Sequence, residues 1–370
     1  MSTHLPSATI TPLVYDPSYE ALEEDEAQTT QDLIDSLQGI AETVAGNAGV
    51  AFRSVHAKAH GILQGKLEVL PLEGIYVQGL FAQAGIYDAT IRLSTTPGDL
   101  LPEAVSTPRG LAMKLMPVSG ARNDPQDGLS EQDFIFVNLP VFSAGTAKQF
   151  LQGVKLFAAT TDKAPKAKAW FATVLRGVEN VIEKVGIEST SLKAFGGHPA
   201  THPLAETYFT QVPLRFGPFM AKLALFPVDP AMLALEETRL DLSEEDALRN
   251  AVQDFCSAHH TEWELRVQLC TDIERMPIED ASVEWPEELS PFVTIARLHT
   301  PVQDSWNAQV ASRDNTLRFN PWNGLAAHRP LGSIMRVRRL VYAMSAQFRQ
   351  RFNANAADKP NTADEHSGTK

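Results

Sequence analysis

Between residues 64 and 138 the chain carries four short apolar segments: GKLEVL (65–70), ATIRLST (89–95), RGLAMKLMPV (109–118) and QDFIFVN (132–138). Clusters of Gly, Pro and Asp separate them. Short runs bounded by turn formers read as strands. Residues 262–270 alternate cleanly, with Trp263, Leu265, Val267 and Leu269 apolar and Glu262, Glu264, Arg266 and Gln268 polar. That two-residue period predicts a strand buried on one face. FVTIARL (292–298) predicts another. The pattern predicts an α+β chain whose largely antiparallel sheet can close into a barrel.

Helices flank these strands. Over residues 20–46, Leu33, Leu37, Ile40 and Val44 fall at i, i+4, i+7 and i+11, one apolar stripe. Glu23, Glu24, Asp25 and Glu26 precede the stripe, where acidic groups suit a helix N-terminus. Residues 146–187 predict helix broken near Pro165, followed by a Pro/Gly/His-rich loop at 196–203. Residues 331–352 predict a long basic helix. The expected organisation is an N-terminal arm and helix (1–45), one large domain (46–353) and a polar, disordered tail (354–370).

Hydrophobic residues make up 44% of the chain and charged residues 21%, enough apolar material for a sizeable core. The net charge of −13 argues against a nucleic-acid partner, because phosphate would be repelled. No apolar run reaches the ~18 residues of a membrane span. The N-terminus lacks a basic region followed by an apolar one, so a secretory signal is not expected and the chain reads as cytoplasmic. Cys256 and Cys270 are too few for a disulfide framework or a structural zinc site, and read as buried thiols.

Two segments carry candidate chemistry. RSVHAKAHG (53–61) places His56 and His60 four residues apart. On a helix such a pair could bind zinc, but Lys58 stands between them, no glutamate base is present and no third ligand is close. RVRRLVYAMSAQFR (336–349), if helical, puts Arg338, Tyr342 and Arg349 on one face. An arginine near a phenol favours the phenolate, and phenolate is a hard ligand for ferric iron. Taken alone, the segment reads first as an ordinary buried tyrosine, Tyr342, on a basic helix.

Together these segments resemble the haem catalase family, in its short, catalase-related peroxidase form. RSVHAKAHG resembles the distal histidine segment. TIRLSTTPGD (90–99) followed by STPRGLAMKL (106–115) resembles the family's "RFST … PRGFAVKF" strands, and NLPVF (138–142) resembles "NTPxF". RRLVYAMSAQFR (338–349) is similar to the proximal "R-x-x-x-Y … R" helix. YFTQVPLRFGPFMAKL (208–223) and MPIEDASVEWPE (276–287) are similar to later barrel segments. The likeness runs in order from about residue 45 to 353.

The resemblance implies a catalase-like antiparallel β-barrel with surrounding helices, a C-terminal proximal haem helix and a haem b cofactor. By position, it implies His56 as the distal acid–base residue, supported by Ser94, and Tyr342 as the proximal iron ligand, kept ionised by Arg338. Arg53, Arg92 and Arg349 take the places of the propionate-binding arginines, and guanidinium suits carboxylates. Phe150 falls where the family packs an aromatic near the haem, or is plain core. Val55 precedes His56 as in true catalases, where allene oxide synthase relatives carry threonine. The implied activity is haem-dependent decomposition of hydrogen peroxide or small organic hydroperoxides, by a catalase or a peroxidase reaction with an electron donor. The alternatives are a fatty-acid hydroperoxide-converting enzyme of the allene oxide synthase type and a non-enzymatic haem-binding protein. A homodimer is compatible with the family.

Two departures stand out. The distal asparagine of the family lies three residues before the proline of "NTPxF", a position held here by Val137. Asn138 is one step on, and one step along a strand reverses the face. His60 accompanies a one-residue insertion before Gly65 and is expected to be a polar loop or edge residue. The chain stops soon after the proximal helix, so a flavodoxin-like domain and a bound nicotinamide nucleotide are not expected.

Overall fold

Alternation along the strands decides which side chains fill the interior and which face outward. A computed structural model describes residues 10–96, 98, 103, 107–161 and 200–357. Among these residues nine strands are present: β1 (Ala59–Val69), β2 (Gly85–Thr95), β3 (Arg109–Met116), β4 (Gln132–Val137), β5 (Tyr208–Phe209), β6 (Leu214–Phe216), β7 (Phe219–Pro227), β8 (Thr261–Leu269) and β9 (Val293–Thr300). All pair antiparallel. The order β5-β4-β3-β2-β1-β9-β8-β7, with β5 pairing back onto β7, closes an eight-stranded barrel. β6 extends it as a hairpin on β7, across a turn at Gly217, whose φ of 63° suits glycine.

The barrel interior takes one set of alternate residues from each strand. Ile91 and Leu93 of β2, Leu111, Met113 and Leu115 of β3, and Phe134 and Phe136 of β4 belong to the main core, with Trp263, Leu265 and Val267 of β8. Phe81 stacks on Phe134 and Phe216, and His328 meets all three rings at centroid distances of 5.3–6.0 Å. Each such side chain contributes roughly 1.5–3 kcal/mol by leaving water. The complementary set, Arg92 and Ser94 of β2, Gly110 and Ala112 of β3 and Ile135 of β4, faces outward.

Among the described residues six α-helices lie outside: α1 (Glu26–Ala48), α2 (Ala147–Thr161), α3 (Pro230–Leu233), α4 (Ala247–Ala258), α5 (Ala308–Thr316) and α6 (Ser333–Ala357). The expected stripe Leu33, Leu37, Ile40 and Val44 is buried against Leu151 and Val154 of α2 and Val337 and Val341 of α6. α1 ends at Gly49 in the left-handed conformation (φ 72°), as helix C-termini commonly do. Arg336 pins the start of α6 through Glu20 (3.0 Å), Glu26 (2.7 Å) and Glu279 (2.7 Å).

The expected strands at 65–70, 89–95, 109–118, 132–138, 262–270 and 292–298 are all present. β1 and β2 each begin several residues earlier, and α6 runs past residue 354 into the expected tail. The break near Pro165, most of the 196–203 loop and the tail beyond 357 lie outside the described residues. Cys256 and Cys270 are buried free thiols, pushed up to about 12 by burial. Among the described residues no helix is long and apolar enough to cross a membrane.

His60 is not a loop or edge residue. The β1–β2 register slips between Ala59 and Gly61, which makes His60 the extra residue of a β-bulge. Its ring is 1% exposed, with Nδ1 3.3 Å from Glu103 and Nε2 3.1 Å from the Thr95 hydroxyl. Lys58 completes the buried group, 2.8 Å from Glu103. Lys58 and Glu103, far apart in sequence, compensate the polarity that made His60 look external.

Candidate functional site

A cavity lies between the outer face of β2–β3–β4 and helix α6. The barrel supplies Arg92, Ser94, Gly110, Ala112 and Ile135 to its lining, and the segment after α1 supplies Arg53, Ser54, Val55 and His56. α6 supplies Tyr342, Ser345, Ala346 and Arg349, at i, i+3, i+4 and i+7 and hence on one face. That helix is fixed from behind by its contact with α1 and α2.

His56 occupies a left-handed backbone conformation (φ 56°), strained for a residue with a Cβ. Its carbonyl accepts from Arg92 Nη1 at 3.0 Å, and the Ala57 carbonyl accepts from Arg92 Nη2 at 3.3 Å. The ring is held on its other side, with Nδ1 3.1 Å from the Ser94 hydroxyl. Gly110 makes room for it, since a Cβ there would stand 2.5 Å from both Cε1 and Nδ1. Burial first, then the charges of Arg92, Arg338 and Arg53, pull the imidazole down to about 3. It is therefore neutral at pH 7, with Nε2 free of any hydrogen bond among the described residues and able to take a proton.

Arg53, Arg92 and Arg349 crowd one end of the cavity. Burial, with the charges of Arg92 and Arg349, draws Arg53 well below the ordinary guanidinium range, and Asp314 opposes this. Arg53 and Arg92 share that carboxylate, at 3.1 Å and 2.7 Å, while Arg349 donates to the Leu317 carbonyl at 3.1 Å. Three buried cations thus face one anion.

Tyr342 lines the cavity from α6, with no hydrogen-bond partner among the described residues. Arg338, one turn earlier, does not bond to the phenol. It lays its guanidinium over Phe142 at 5.1 Å and places Nη1 3.6 Å from Met335 Sδ. Phe150 is absent from the lining. It meets Phe142 edge-on at 5.2 Å within the helix packing, so it serves there as core.

Asn138 is turned away from the His56 side. No bulge interrupts the β3–β4 pairing, which sets Val137 directly opposite Gly110. Cross-strand partners share a face, so Val137 is on the His56 side. The Asn138 amide is used elsewhere: Oδ1 accepts from the Arg109 backbone N–H at 2.8 Å and Nδ2 donates to Glu206 at 2.6 Å.

His56 and His60 hold separate partners, and among the described residues no group of three His, Cys, Asp or Glu side chains could bind a metal. Sequence reasoning missed Asp314, Arg318, Phe319 and Ser345. The last three line the cavity, and Ser345 ties α6 to the histidine segment through the Ser54 hydroxyl at 2.9 Å. Only the spacing of Ser345 from Tyr342 and Arg349 could have signalled its place.

No family model and no curated protein matches the chain. Solved structures do. It is similar to catalase A from Saccharomyces cerevisiae (TM-score 0.58, 15% identity, covering 94% of this chain and 70% of that one). It is similar to a bacterial catalase (TM-score 0.55, 14% identity, 98% and 70%). A fungal catalase matches with TM-score 0.56 and 15% identity over 84% of this chain, which spans 61% of the fungal chain's length. The closed eight-stranded antiparallel barrel with its flanking helices is the catalase-like fold.

Proposed function

We propose that the chain is a haem-dependent peroxide-decomposing enzyme acting on hydrogen peroxide or small organic hydroperoxides. The observation that carries the proposal is one cavity walled on one side by neutral His56 and on the other by the Tyr342 phenol, with three arginines at its end. The residues fit haem b. Three buried cations facing one carboxylate call for further anions, which two propionates would supply. Much of the rest of the lining, Val55, Ala112, Ile135, Phe319, Val341 and Ala346, is apolar and suits a porphyrin, with Ser54, Ser345 and Arg318 beside it.

In this assignment Arg53, Arg92 and Arg349 would hold the propionates and Tyr342 would ligate the iron. When bound, haem supplies the electron transfer that breaks the peroxide bond. His56 Nε2 takes the proton of the bound hydroperoxide and returns it to the departing oxygen, which leaves as water or an alcohol. Ser94 at Nδ1 and the Arg92 hold on the backbone keep the ring aimed. Such positioned proton transfer is typically worth ~10²–10⁴ in rate.

Val137 in the place of a distal amide favours peroxidase over catalase turnover, because among the described residues no side-chain amide lines the cavity to orient a second small peroxide. An absorption spectrum after haem addition tests the proposal: a Soret band with ferric tyrosinate features, altered in Tyr342→Phe, is expected. No Soret band would sink it, as would unchanged turnover in His56→Ala. Oxygen evolution compared with oxidation of a phenolic dye separates the two reactions.

A further inference from the structure

Asp314, in the last turn of α5, stands behind the cavity and not in its lining. Its Oδ1 accepts from Arg92 Nε at 2.7 Å and pairs with Arg53 Nη1 at 3.1 Å. Its Oδ2 accepts from Arg53 Nη1 at 3.2 Å and from Arg92 Nη2 at 3.4 Å. Its backbone carbonyl accepts from Arg53 Nη2 at 2.8 Å. One residue therefore fixes two guanidiniums. Arg53 belongs to the segment entering His56, and Arg92 grips the carbonyls of His56 and Ala57 as the segment leaves. Between those holds the backbone of His56 is left-handed, which non-glycine residues sustain only when their surroundings enforce it.

We propose that Asp314 is the positioning residue for His56, holding Arg92 against the His56 carbonyl so that the imidazole is aimed before any ligand arrives. Without this carboxylate, Arg92 and Arg53 would repel each other and turn toward the cavity. Arg92 would then lose its grip on residues 56 and 57. Burial works against ionisation of Asp314, but Arg92 and Arg53 outweigh it and keep the carboxyl below its ordinary range, so the clamp is charged at pH 7.

The part played at turnover rests on the haem assignment, whereas the clamp does not, and the test separates them. Full-length protein without haem is compared as wild type, Asp314→Asn and Asp314→Glu by hydrogen exchange. Exchange over residues 53–58 is expected to rise roughly tenfold in Asp314→Asn, with exchange in β8 and around His328 unchanged and with partial recovery in Asp314→Glu. An unchanged 53–58 segment, or a rise spread over the whole barrel, would overturn the proposal.

In haem-loaded protein, Asp314→Asn is expected to lower kcat by on the order of 10²-fold with KM held. Haem titrates in no more weakly, because a carboxylate competing for the arginines is gone. Weaker haem binding with full kcat would also overturn it. A wild-type protein that takes up haem yet leaves peroxide untouched would defeat the enzymatic assignment while the exchange data still decide the clamp.

Discussion

A Cβ at Gly110 would stand 2.5 Å from His56 Nδ1, the ring atom that faces Ser94. Neither the imidazole nor the β3 backbone can yield easily, since one is held by Ser94 and the other is paired to β2 and β4. Gly110→Ala is therefore expected to turn the ring away from Ser94 while leaving haem uptake intact. A displacement near 1 Å costs on the order of 10² in rate. Peroxide turnover per bound haem checks this, and a fully active Gly110→Ala protein would show that the ring position is unimportant.

Buried histidines set the acid limit. Burial is the largest cause in each of three cases, pulling His56 down to about 3 and both His202 and His328 to about 4, from 6.5. Each is neutral when folded and takes a proton on unfolding below pH 6.5. Their contribution to stability is complete above 6.5 and is lost as pH falls toward 4. The thermal midpoint should therefore decline over that window. Turnover should show no titration at 6.5, because His56 remains a base there. A half-loss of kcat centred on 6.5 would contradict the environment assigned to His56.

Much of the fold is legible because it rests on periodicity. The alternation in β8 and the apolar stripe of α1 each bury the residues their spacing selects. Arg92, Ser94 and Gly110 point to the cavity because Ile91, Leu93 and Leu111 point inward. What was not legible depends on pairing across long separations. Asp314 sits in an otherwise polar segment, and nothing local reveals that two arginines more than 200 positions away converge on it. His60 misleads for a related reason, since its partners Thr95 and Glu103 reach it only once β1 pairs with β2 and the chain beyond folds back. Asn138 needed the β3–β4 register to show that its amide turns away from His56.

The buried His60 group yields a separable prediction. His60→Ala would leave the Glu103 carboxylate, 2% exposed, with Lys58 and the Leu248 N–H but without the imidazole. Losing one partner of a buried polar group costs about 1–3 kcal/mol. Because the His60 ring meets Glu103 and Thr95 and does not line the cavity, turnover per bound haem should persist. Denaturant unfolding and steady-state turnover, measured together, check both halves, and lost activity in a stably folded variant would place His60 in the proton path.

The Val137 and Asn138 pair allows the amide question to be asked in both directions. Val137 lies opposite Gly110, on the His56 face, and a side-chain amide there would reach the region where a small peroxide must be oriented. Val137→Asn should raise oxygen evolution from hydrogen peroxide relative to dye oxidation, at some cost in stability because a buried polar group is introduced. Asn138→Ala should do the opposite kind of damage. It removes the partners of the Arg109 N–H and of Glu206, whose carboxyl burial already raises despite Arg109. The expected result is a stability loss of about 1–3 kcal/mol with the ratio of the two activities unchanged. If Asn138→Ala shifted that ratio and Val137→Asn did not, the distal amide would have to be assigned to Asn138, against the register of β4.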